Sequence, residues 1–171
     1  MFKAACLGLV AALILSTVSA TPAPVSRTKL SLTLEDRVLV HRLLEWAVAN
    51  SNGKYKMPAV EPIVLRLSPY AMAEIACPGH LTCPVYGLHH VGSYVVMVLG
   101  VLPVEDQEHA ILHELIHYLQ SRADPSIHDC MTDFRDEMEA YRLQFKYRMI
   151  VQDYKGPAPT VSPSCAPDEL K

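Results

Sequence analysis

His113-Glu114-Leu115-Ile116-His117 puts two imidazoles and a carboxylate into five consecutive residues. On a helix, residues four apart lie one above the other, so His113 and His117 can reach one metal ion. Glu114 is rotated off that line. There it can touch a metal-activated water without being spent as a ligand, the position that a general base needs. The helix itself is well signalled. Pro103 ends the preceding segment, Glu105, Asp106 and Glu108 crowd the first turn where the helix dipole favours negative charge, and neither Pro nor Gly interrupts through Gln120. Ala110, Ile111, Leu112, Leu115, Ile116 and Leu119 cover nearly every face, which predicts a buried helix. Imidazoles and a carboxylate buried there are costly unless paired or coordinated.

Two histidines leave a zinc ion short of ligands, so a third donor is expected on a separate element. A second helix is predicted from an N-cap at Thr132 or Asp133 to about Tyr154. Glu137, Tyr141, Gln144 and Arg148 share one face of it, and Phe134, Met138, Phe145 and Met149 form an adjoining apolar stripe. Glu137 with Tyr141 one turn later completes a His-His-Glu site. Glu139 lies well round the helix from Glu137, so the two do not bind the same ion, and Glu137 is preferred because it keeps an i, i+4 partner on its own face.

The pairing of His113-Glu114-x-x-His117 with a downstream Glu137-x-x-x-Tyr141 resembles the gluzincins, zinc peptidases whose third ligand is a glutamate on a later helix. More narrowly, His113 to Gln120, Cys130 and Glu137 to Tyr141 resemble a family of small secreted bacterial zincin-like proteins of unknown function. The likeness covers about residues 77 to 147. It implies an α+β fold: a compact zincin-like domain with a small sheet, the active-site helix against it and a glutamate helix closing the site. The sequence departs from thermolysin-like enzymes in having no His after His128 to stabilise an oxyanion. Tyr141, Tyr118 or the His89-His90 pair are the candidate donors.

The chain opens with Met1-Phe2-Lys3, an apolar run from Ala4 to Val18, and the small-residue pattern Val18-Ser19-Ala20. These are the parts of a signal peptide, residues 1–20, cleaved after Ala20, and they predict export to the periplasm or outside without stable membrane association. Of the five cysteines, Cys6 leaves with the signal, and an even set remains for an oxidising compartment. Cys77 and Cys83 flank the turn Pro78-Gly79 and are expected to bridge, which leaves Cys130 to pair with Cys165. A competing reading makes Cys77-x-x-His80-x-x-Cys83 part of a second metal site. Residues 21–32 read as a flexible segment, 33–155 as the zincin-like domain and 156–171 as a Pro-rich tail.

Half the residues are apolar, as a globular chain requires, and the formal net charge is −3. No basic stripe points to nucleic acid, so the expected partner is a peptide or protein substrate of a monomeric protein. Before the motif the expected order is helix, strand, loop, strand. The first helix runs from Thr33 to about Asn50 with Val38, Leu39, His41, Leu43, Leu44 and Ala47 toward the core. The strands are Pro62 to Leu67 and Ser93 to Leu99, the second either forming the cleft edge or buried in the core. His109 is expected at a partly exposed helix start, His89 and His90 in a solvated loop, and Gln120 in a buried hydrogen bond.

The expected function is that of a zinc metallopeptidase. Zn²⁺ held by His113, His117 and Glu137 keeps a position open for water, and Glu114 serves as general base. Two rivals stand beside it: a zinc-binding but catalytically silent protein, and a disulfide-stapled binding module without metal.

Overall fold

The computed structural model describes residues 33–80, 83–126, 129–158 and 160. The signal peptide, the 21–32 segment, Cys165 and most of the tail lie outside these described residues.

Helix α1 spans Leu34–Asn50. Thr33 caps it, its hydroxyl accepting from the Asp36 amide at 3.1 Å, and Asn52 and Gly53 turn the chain away in the left-handed region at φ 56° and 81°. The buried stripe is Val40, Leu43, Leu44 and Ala47, spaced i, i+3, i+4, i+7. Val38 and His41, expected in the core, face outward instead. They fall about 160° and 100° round the helix from Val40, and His41 pairs with Glu45 and Glu61.

Strand β1 (Ile63–Leu67), helix α2 (Pro69–Ala76), strand β2 (Gly87–His89) and strand β3 (Val95–Leu99) follow. The stretch expected to be one loop therefore holds a helix and a strand. Ser68 caps α2 through the Ala71 amide, with Pro69 in the first turn, a Ser-Pro start legible in the sequence. The strand order is β1-β3-β2, with β1 parallel and β2 antiparallel to β3. The Ser93 to Leu99 stretch is thus the centre of the sheet and not its edge. Its continuous apolar run fits that place, since Val96, Met97 and Val98 are all buried. The short β2 is the edge.

Helix α3 (Val104–Ala123) carries the motif and packs on α1, β2, β3 and the last helix, α4 (Cys130–Val151). It is buried on nearly every side. Asp129 caps α4 by accepting from the Thr132 amide at 2.7 Å, one turn earlier than the expected Thr132 or Asp133. Helix α4 meets the rest chiefly through α3, burying Ala140, Leu143 and Tyr147. The stripe expected to pack, Phe134, Met138, Phe145 and Met149, lies on the flank of this contact, and Met138 and Met149 are exposed. Four helices and a three-stranded sheet make a mixed fold compatible with the α+β class.

Cys77 and Cys83 form a disulfide across the turn at Gly79, so neither thiol serves a second metal site. Cys130 is also disulfide-bonded. No helix among the described residues is long and apolar enough to cross a membrane.

Candidate metal centre

One turn of α3 stacks the rings of His113 and His117, with centroids 4.7 Å apart and Nε2 atoms 3.0 Å apart. Helix α4 runs alongside and delivers Glu137, whose Oε2 lies 3.3 Å from His113 Nε2 and whose Oε1 lies 3.1 Å from His117 Nε2. Three donors from two helices meet at one point and can hold a metal ion. Donors at about 2.05 Å from a tetrahedral zinc stand about 3.3 Å from one another, so the spacing suits an ion of that size.

The proton positions sharpen this. The Gln120 side-chain amide donates to the Asp136 carbonyl at 2.9 Å, which can only accept, so its oxygen faces His117 Nδ1 at 2.7 Å. His117 Nδ1 therefore carries the proton. In the neutral ring Nε2 is then a bare lone pair, directed at another imidazole and a carboxylate. Such a cluster wants a cation. Without one it takes a proton: burial pushes the His117 pKa down, but Glu137 and Glu114 override it and raise it. Burial likewise pushes Glu137 up, yet the two imidazoles hold its carboxyl well below the usual range. His113 Nδ1 is buried with no hydrogen-bond partner among the described residues, and its ring packs edge-on against Tyr141 at 4.5 Å.

Glu114 is buried beside this cluster, where its side chain passes against β2. A Cβ on Gly87 would stand 2.6 Å from Glu114 Oε1, so only glycine leaves the carboxylate its place. Burial raises the Glu114 pKa, while His117, His113 and the His89 amide oppose the shift. Gly87 is a site residue missed in the sequence, where it reads as an ordinary loop glycine.

These groups line a cavity of about 820 Å³ between β2, α3 and α4. Glu137, Tyr141, Gln144 and Arg148 all line it, as their shared helix face predicts. Tyr141 is half-buried there, its pKa raised by burial and then by the Glu137 and Glu114 charges. Tyr118 does not reach the cavity. Its hydroxyl donates to the Val60 carbonyl at 2.6 Å on another side of α3, which removes it as an oxyanion donor. His109 is buried, not exposed, because the end of α4 folds over it and brings Gln152 to its Nε2. His89 belongs to β2 and is half-buried, with Nε2 3.2 Å from Ser121 Oγ, whereas His90 is exposed.

Glu139 points elsewhere. It is bound by Lys54, by the Tyr55 hydroxyl at 2.5 Å and by Gln120 at 3.4 Å, and belongs to no metal cluster among the described residues. No known protein family, curated protein or solved structure matches the chain.

Proposed function

We propose that this protein is an exported zinc-dependent peptidase of zincin-like architecture. The carrying observation is the convergence of two imidazole Nε2 atoms 3.0 Å apart, each facing one oxygen of the Glu137 carboxylate at 3.1 to 3.3 Å, beside a buried carboxylate that is not one of them. His113, His117 and Glu137 would hold the ion. Zinc in such a site supplies Lewis acidity toward a carbonyl and an acidified water near neutral pH.

The protein's own groups have separate tasks. Glu114 takes the proton of the attacking water and passes it to the leaving amine. Burial raises its pKa in the metal-free protein, a push toward stronger basicity that the charge of a bound ion would oppose. Gly87 and the His89 amide hold that carboxylate in line. Tyr141, beside His113, is the hydroxyl placed to donate to the developing oxyanion. Gln120 fixes the His117 tautomer. Gly87 to His89, as the sheet edge lining the cavity, offers backbone groups to an extended peptide.

The second reading, a zinc protein without catalysis, is favoured by His113 Nδ1, which lacks the hydrogen bond that usually orients a metal-binding imidazole. One variant separates the two. Glu114→Gln should keep zinc and melting temperature while lowering cleavage of a generic peptide library by about 10² to 10⁴-fold. Equal inertness of wild type and variant, both with zinc bound, would leave only the silent reading.

A further inference from the structure

The end of the cavity remote from the metal centre holds a guanidinium with no carboxylate partner among the described residues. Arg148 lines that end, about three helical turns and roughly 16 Å along α4 from Glu137. Its guanidinium carbon lies over the Tyr154 ring, 4.0 Å from the centroid, a cation–π contact. Among the described residues the buried Nε has no hydrogen-bond partner, and no carboxylate pairs with the group. Its Nη groups likewise make no hydrogen bond to a described residue, so a carboxylate in the cavity that Arg148 lines would meet donors the fold leaves unsatisfied.

The neighbours make this a built site. Gln144 donates to the His109 carbonyl at 3.1 Å, and His109 is held in turn by Gln152. Their polar atoms are engaged with one another while Arg148 is not. Four of the acids lining the cavity, Glu114, Glu137, Asp133 and Asp136, belong to the motif or to the first two turns of α4; the fifth, Asp106, is half exposed and 4.0 Å from His109.

We propose that Arg148 is the recognition point for a carboxylate on the substrate, so that the preferred substrate carries one about five residues from the scissile bond. An extended peptide covers the 16 Å span in about that length. The position relative to cleavage rests on the peptidase reading above; the carboxylate site itself does not. The carboxylate can be a chain terminus or an Asp or Glu side chain. Either presents two oxygens to the planar fork of Arg148.

The test uses the full chain, zinc-loaded and carrying Glu114→Gln to prevent turnover, and three short acetylated peptides of otherwise neutral residues. One has a free C-terminal carboxylate, one is amidated with a single internal Glu, and one is amidated without an acid. Binding by fluorescence polarisation should favour at least one acidic probe over the neutral one, and which of the two it favours identifies the source. Adding Arg148→Gln should weaken that probe about 10- to 100-fold and leave the neutral peptide unchanged. Arg148→Lys, which keeps the charge and the fold but loses the fork, should fall between. Equal binding of all three probes, no binding of any, or an equal loss across them on changing Arg148 would overturn the proposal. Carboxylate-selective binding through Arg148 in a protein whose wild type cleaves nothing would retain this site and refute the peptidase.

Discussion

Glu137 and Glu139 are the same residue type, two positions apart on α4, and they meet opposite fates. About 200° of helix separates them. Glu139 turns toward the α1 side of the molecule and finds its cation there in Lys54, with Tyr55 and Gln120 as further donors. Glu137 turns toward α3 and among the described residues meets imidazole nitrogens alone, at least one of them a bare lone pair in the neutral ring. One carboxylate is neutralised by the protein; the other is left for an ion. The contrast shows why composition around a carboxylate says little about metal binding. What matters is whether its partners bring a positive charge or only acceptors.

The largest effect should come from removing each in turn. Glu137→Ala should abolish stoichiometric zinc binding and all cleavage, whereas Glu139→Ala should keep the zinc, as measured by metal content after dialysis. Gln120 links the two regions, touching His117 with its oxygen and Glu139 and Asp136 with its nitrogen. Gln120→Leu should therefore lower zinc affinity about 10- to 100-fold in a competitive chelator titration. An unchanged affinity would show that the His117 tautomer needs no help. Glu139→Ala should cost about 1 to 3 kcal/mol in denaturant unfolding, because it strands the buried Tyr55 hydroxyl.

The smallest effect lies in the pH dependence of the chelator-treated protein. Burial pushes Glu139 up, but Lys54 and Tyr55 hold its folded pKa below the ordinary 4.5, so its contribution is present above that pH and fades as the pH falls through the folded value. Glu114 is opposite in sign. Its folded pKa is raised by burial, so the folded state binds more protons than the unfolded one above pH 4.5 and loses stability as the pH rises there. Metal-free Glu114→Gln should thus melt above wild type at pH 7 and Glu139→Gln below it, the first gap closing as the pH falls to about 4.5 and the second only below that. Shifts of the same sign would break the comparison.

Much of the site was legible because it is local. The His113 and His117 spacing is a property of one helix turn, and the shared face of Glu137, Tyr141, Gln144 and Arg148 needs only helical periodicity. Glu139 could be set aside on the same ground. What tertiary packing decides was not legible. Strand β2 is three residues long and owes its existence to pairing with β3, so Gly87 reads as loop until Glu114 is seen against it. His109 is buried by Gln152 from another helix end, and Tyr118, adjacent to a ligand in sequence, is drawn off by Val60. The centre-versus-edge role of Ser93 to Leu99 turned on strand order. A continuous apolar run argued for the centre, and the sheet has it there.

The most direct measurement is zinc-edge X-ray absorption on the protein loaded with one equivalent of zinc. The expected coordination contains two imidazole nitrogens and carboxylate or water oxygen, with no sulfur; it persists in Glu139→Ala, whereas in Glu137→Ala the imidazole scattering is lost and the zinc is left hydrated in solution. A shell containing cysteine sulfur, or one that responds to Glu139 and ignores Glu137, would contradict the account.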